Sequence, residues 1–284
     1  MTTSGPRRPL TIHIGLQKTG STSLHHHLQL NADVLERRMV LRMPVEGTPM
    51  RPLGRAAVEF SLNPDDMRRA TLDQAIRVVR EGLPDNGLPV LISHENLAGA
   101  MPGTGDERRL YPLLPRIMAS LDAGFHDFSV DYVIYLRSQV NWLPSVWAQA
   151  VRTDGYTGTW ADYDAEAVNL PEWPDLIGRL TDAIGADRLT VFHLEDETDP
   201  AHPGSQLLSH MGLSDQDIAA LRPLERRAME RLSPASTEFM RRLNGLSLNP
   251  HARTRVADLV ARTQHLFNAD YRPSINYVSA EGKR

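Results

Sequence analysis

Ile12-His13-Ile14-Gly15-Leu16-Gln17-Lys18-Thr19-Gly20-Ser21-Thr22-Ser23 reads as the end of a strand, a tight turn and the start of a helix. Leu10 to Ile14 is a short apolar strand, and a helix follows from about Ser21 to Leu30. Gly15 and Gly20 let the backbone curl close to a ligand. The free N–H groups at the helix start then converge on one point, which suits an anion. Lys18 adds a full charge, and Ser21, Thr22 and Ser23 add hydroxyl donors. The segment is expected to cradle a phosphate or sulfate through Gln17, Lys18, Thr19, Gly20, Ser21, Thr22 and Ser23.

Outward from this loop, strands and helices alternate. Apolar runs at Leu88–Ser93, Tyr132–Leu136 and Leu189–Phe192 read as further strands. Helices are expected from Asn63-Pro64-Asp65-Asp66 to Gly82, from Asp106 to Leu121, from Trp173 to Gly185, after Ser233-Pro234, and from His251 to Phe267. Asn63 is read as the cap of the first of these. Residues 1–8 read as a loose tail, and residues 32–62 as an irregular segment carrying Arg37, Arg38, Arg42, Arg51 and Arg55. Those arginines are either solvated charges or the lining of a cleft for an acidic acceptor. The alternation predicts a mostly parallel sheet of about four to five strands flanked by helices, with ligands at the carboxyl ends of the strands. One domain is expected over 1–284, with about 203–284 as its helical extension.

A second anion site follows the strand Tyr132–Leu136. Arg137 ends it, and Ser138-Gln139-Val140-Asn141-Trp142-Leu143-Pro144-Ser145 comes next. Pro144 suits a first helical turn, which makes Asn141 the cap and puts Ser145 beside exposed N–H groups. Arg137 offers a planar fork to phosphate oxygens. The first loop differs from the usual nucleoside-triphosphate loop, G-x-x-x-x-G-K-[ST], because Lys18 precedes Gly20 rather than following it.

The order Gly15-x-x-Lys18-Thr19-Gly20-Ser21-Thr22-x-Leu24 resembles the 5′-phosphosulfate loop of sulfotransferases that use 3′-phosphoadenosine 5′-phosphosulfate (PAPS). Arg137 with Ser145 eight residues later resembles that family's 3′-phosphate motif. Trp173 to Glu195 and Ser233 to Asn244 look like its later elements. The Arg-Lys-Gly-rich cofactor loop of the cytosolic small-molecule branch is absent, which points to the bacterial and carbohydrate-like branches. The resemblance implies a P-loop-type three-layer α/β fold, PAPS as donor, and a sulfuryl group transferred by in-line displacement. It implies an acceptor hydroxyl or amine on a sugar, lipid head group or small molecule. Lys18 would act on the leaving oxygen, with Glu95 or His94, at the end of the strand Leu88–Ser93, as general base. Glu95 is slightly favoured, since Ser-x-Glu at this point resembles the bacterial branch.

Two other readings stay open. Thr190 to Asp196 could pass for a strand ending in magnesium-binding acids, as in a P-loop kinase, and the fold could bind a nucleotide without catalysis. His25, His26 and His27 are adjacent on a helix and so diverge; no metal is expected.

Composition bounds the rest. The net charge of −4 gives no general pull toward nucleic acid, and the lack of cysteine excludes disulfides and thiolate metal sites. Only Lys18 and Lys283 of the 31 basic residues are lysines, so Lys18 stands out as a compact point charge. No apolar run is long enough to span a membrane, and Met1 to Leu16 is too polar for a signal peptide, so a cytoplasmic protein is expected.

Overall fold

The computed structural model describes residues 6–100, 109–167, 172–225, 232–247 and 249–267. In chain order it runs β1 (Arg8–Ile14), α1 (Ser21–Leu30), α2 (Ala32–Leu35), β2 (Val40–Arg42), α3 (Met50–Leu62), α4 (Asp66–Glu81), β3 (Val90–His94), α5 (Leu114–Gly124) and β4 (Phe128–Leu136). Then come α6 (Gln139–Gln149), a π-helical turn (Ala150–Asp154), α7 (Trp160–Ala167), α8 (Trp173–Ile184), β5 (Leu189–His193), α9 (Ser205–His210), α10 (Asp215–Ala219), α11 (Pro234–Asn244) and α12 (Pro250–Arg262). The chain forms two compact units: Met1–Leu143 with Ala167–Met229, and Pro144–Glu166 with Glu230–Arg284.

The first unit holds a five-stranded, all-parallel sheet in the order β2-β3-β1-β4-β5. β1 and β3 are buried over almost their whole length, so they read as apolar runs rather than alternating ones. Alternate residues face opposite layers. Leu91, Val133 and Tyr135 pack with Leu24 and Leu28 of α1 and Leu207 and Leu208 of α9. On the other face the Tyr132 hydroxyl donates to Asp122 of α5 (2.8 Å), and α3, α4, α5 and α8 line up in contact. Helices thus flank the sheet on both sides, as expected. Ile14 pairs with both His94 and Ile134, so β1, β3 and β4 end at one edge. From β1 the chain builds β2 and β3 on one side and then crosses over to build β4 and β5 on the other, so the strand order reverses at β1, the switch point where such sheets bind ligands.

The second unit is helical. Val151, Leu232, Met240, Ala257 and Val260 form its core, and the Asn244 amide donates to the Val151 and Tyr156 carbonyls (2.7 and 3.0 Å).

Several boundaries correct the sequence reading. Residues 32–62 are not irregular: they build α2, β2 and α3. β2 has only three residues, too few to show a period. α3 hides behind Pro49 and Pro52, which are tolerated at a helix start, and behind Gly54. A Cβ at Gly54 would lie 2.2 Å from His94 Nε2, so a glycine there lets the His94 ring pack on the helix. Arg38 pairs with Asp217 at 2.7 and 2.8 Å, and Arg42 donates to the Leu41 and Gly82 carbonyls. Asp65, not Asn63, caps α4 by accepting from Arg68 N (2.8 Å); Asn63 closes α3. Arg8 belongs to β1 rather than to a tail: it pairs with Phe128 of β4, and its guanidinium donates to the carbonyls of Leu88 (2.6 Å) and Pro84 (2.8 Å), while residues 1–5 of the expected tail lie outside the described residues. α5 begins at Leu114; the expected start at Asp106 lies outside the described residues. α6 begins at Gln139, with Trp142 N donating to the Ser138 carbonyl (2.8 Å), so Pro144 sits inside the helix. Ser145 is therefore in its second turn, away from the free N–H groups, and Asn141 is not the cap.

Candidate active site

Gly15 is the tightest point of the first loop. Its N–H donates to the His94 carbonyl (3.3 Å), joining the ends of β1 and β3. A Cβ there would stand 2.2 Å from Ser21 Oγ and 3.1 Å from Glu95 Cα, so only glycine lets the three segments meet. Thr19 spends its hydroxyl on the loop's own shape, donating to the Leu16 carbonyl (2.7 Å). Gln17 braces the loop through Nε2 to the Gly99 carbonyl (2.9 Å). Lys18 has φ +69°, a left-handed conformation that a non-glycine residue adopts at a cost.

Gly20, at φ +98°, is the N-cap of α1 and has no side chain to satisfy the helix's first N–H groups. Ser21 Oγ is buried without a hydrogen-bond partner, while Thr22 and Ser23 are half-exposed. A bare helix start, an orphaned buried hydroxyl and a lysine on the same loop are what a bound anion would satisfy.

Glu95 begins the short 3-10 turn Glu95–Ala98 after β3. Burial pushes its carboxyl above the usual range, and the charge of Lys18 pulls the other way. A half-buried carboxylate held up by desolvation and facing a lysine is equipped to accept a proton. His94 is differently placed. Its Nδ1 accepts from Asn96 N (3.0 Å). Its Nε2 is buried against α3, where the Met50 carbonyl favours a proton on it but stands outside hydrogen-bond geometry. Burial holds the ring neutral, down to about 4.

The sequence reading did not foresee two features. Trp142 packs on Trp173 with ring centroids 4.8 Å apart and donates Nε1 to the Gln17 carbonyl (2.9 Å), tying the start of α6 to the first loop. The signal was a tryptophan within the Arg137–Ser145 stretch, easily taken for core. Ser93 joins His13 (2.7 Å) and His25 (2.8 Å) through one hydroxyl. His26 is exposed and His27 turns to the Pro203 carbonyl (3.0 Å), so the three adjacent histidines go three ways. Among the described residues no three His, Asp or Glu side chains gather as a metal site requires.

Arg137 follows β4 at the same sheet edge, half-buried, with its carbonyl accepting from Trp173 Nε1 (2.6 Å). Ser145 is buried and falls in the second unit. Glu195 accepts from Ser138 N (3.0 Å) ahead of α6.

No protein-family model matches the chain, and no curated protein sequence matches it. Similar solved structures include a sulfotransferase from Alicyclobacillus acidocaldarius, at 14% identity over 92% of this chain and 94% of that one, with a TM-score of 0.46. Another is a retinol dehydratase solved with androsterone and the inactive cofactor PAP, at 12% identity over 90% of this chain and 65% of that one, with a TM-score of 0.31. Among the described residues no helix is long and apolar enough to cross a membrane.

Proposed function

We propose that this chain is a sulfotransferase that takes PAPS as donor and sulfates a hydroxyl or amine. The observation that carries the reading is the loop itself: a glycine-capped helix start, the orphaned Ser21 hydroxyl and left-handed Lys18, set across Gly15 from Glu95. The donor supplies a sulfuryl group joined by a reactive mixed-anhydride bond to a phosphate leaving group. The N–H groups of α1 and the hydroxyls of Ser21, Thr22 and Ser23 hold that phosphate. Lys18 places a compact charge on the oxygen that becomes negative as the bond breaks, an interaction stronger in the transition state than before it. Arginine spreads its charge over a plane and is a poor substitute there.

Glu95 takes the proton of the attacking hydroxyl. His94 is the weaker candidate, because Nδ1 is engaged by the backbone and Nε2 is packed against α3. Arg137 is assigned to the 3′-phosphate for its fork of donors at the β4 edge. Ser145 joins it on the resemblance alone. The acceptor class, a sugar, lipid head group or small molecule, is carried forward from the same resemblance. Against a kinase stands the position of Lys18 ahead of Gly20.

Calorimetry with adenosine 3′,5′-bisphosphate, AMP and ATP tests the reading without knowing the acceptor. The bisphosphate binds about 100-fold tighter than AMP, in EDTA as well as in magnesium. Equal affinities for nucleotides with and without a 3′-phosphate would overturn it.

A further inference from the structure

We infer that Ser93 is a positioning residue: the chain His13–Ser93–His25 clips the helix that carries the anion-binding hydroxyls to the strand end that carries Glu95. This inference rests on the role proposed above for Glu95.

Ser93 is fully buried at the end of β3, two residues before Glu95. Its single hydroxyl lies 2.7 Å from His13 Nδ1 on β1 and 2.8 Å from His25 Nε2 on α1. One hydroxyl proton can be given to only one ring, so the other ring must donate. His13 Nε2 decides the direction. It is buried without a partner, and an orphaned N–H is rarer and costlier than an orphaned acceptor. His13 therefore carries its proton on Nδ1 and donates it to Ser93. Ser93 in turn donates to His25 Nε2, and His25 holds its own proton on Nδ1.

Such a chain could also be a proton wire. It leads nowhere, because His13 Nε2 has no acceptor beyond it and the Tyr135 ring stands edge-on at 5.5 Å. What remains is mechanical. His25 lies one turn inside α1 from Ser21. Ser21 and Glu95 stand on either side of Gly15 at close range. Their spacing depends on how α1 rests on β3, and Ser93 is the polar contact that sets it. The rings stay neutral: burial, with His13 facing His25 and His25 facing His94 and His26, holds them at about 3 and about 4.

Nitrogen-15 NMR of the histidines in the whole protein reads the clip directly. Wild-type His25 is protonated on Nδ1 and does not titrate between about pH 5.5 and 8. Ser93→Ala removes the preference for Nδ1, with the ring still kept neutral by burial, and lowers the single-turnover transfer rate about 10- to 100-fold. Affinity for adenosine 3′,5′-bisphosphate stays within about three-fold, and Ser93→Thr restores the rate. His25→Gln gives the same split between rate and affinity, should Ser93→Ala fold poorly. Protonation of wild-type His25 on Nε2 would overturn the proposal. So would rate and affinity falling together in both variants. The tautomer is read without turnover, so a protein that sulfates nothing would refute the sulfotransferase reading and still leave the clip tested.

Discussion

Glu95 is pulled two ways: burial favours its neutral form and Lys18 its charged form, with burial the larger influence. A general base must be deprotonated to act, so the rate falls as pH drops through a carboxyl value raised above the usual range. Glu95→Gln should lower the transfer rate by about 10² to 10⁴ and remove that acid limb, with nucleotide affinity nearly unchanged. His94→Asn should keep the rate within about ten-fold and instead cost stability, since it disturbs a buried ring that accepts from Asn96 N. Normal turnover in Glu95→Gln would remove Glu95 from the mechanism. The sequence brought His94 and Glu95 forward together and only slightly favoured Glu95. In the structure the two part where β3 ends: His94 closes the strand and packs on α3, and Glu95 opens the turn beyond it. Ser93 entered the sequence reading only as the last residue of a strand and the first of Ser-x-Glu; its link to His13 and His25 did not, because those partners are 80 and 68 residues away in sequence.

Among the elements, the loop from Gly15 to Gly20 is the most sensitive to a single atom. In Gly15→Ala the new methyl would fall 2.2 Å from Ser21 Oγ, and Glu95 Cα on its far side allows little retreat. Overpacking of this kind costs about 1–3 kcal/mol, and here the strain bears on Ser21 and Glu95. The variant should melt lower and bind adenosine 3′,5′-bisphosphate about ten-fold or more weakly. Wild-type affinity by calorimetry would mean the loop is looser than its geometry implies. Elements with strong local signals were legible: α1 and α8 start where a polar or proline-bearing turn meets an apolar period. The misread ones lacked such signals. β2 is too short to alternate, and α3 owes its glycine to a ring that arrives from β3. α6 was shortened because Pro144 was taken as a start, whereas the helix tolerates it inside.

For the whole molecule, three neutral, desolvated histidines, two on strands β1 and β3 and one on α1, make stability depend on acid. His13, His25 and His94 sit at about 3, about 4 and about 4 against an ordinary 6.5. The unfolded chain takes up a proton at each below pH 6.5, and the folded chain does so only near the lower values. Stability is therefore full above that pH and is lost as pH falls from 6.5 toward 4, by up to about 1.4 kcal/mol per pH unit for each histidine. Urea melts at about pH 7.5, 6 and 5 measure the slope, and a flat response would contradict the burial of these rings. The general architecture was readable because buried parallel strands announce themselves as apolar runs; the order of the strands was not. That order governs how the chain assembles. β1 is made early yet lies in the middle of the sheet, and its neighbours follow roughly 80 and 120 residues later. A nascent chain keeps the apolar β1 without either neighbour until β3 has been made. Pairings of such long range fold slowly and expose strand edges to aggregation in the meantime. The turn after β1 can take its final shape only once β3 is in place, because its Gly15 N–H donates to the His94 carbonyl.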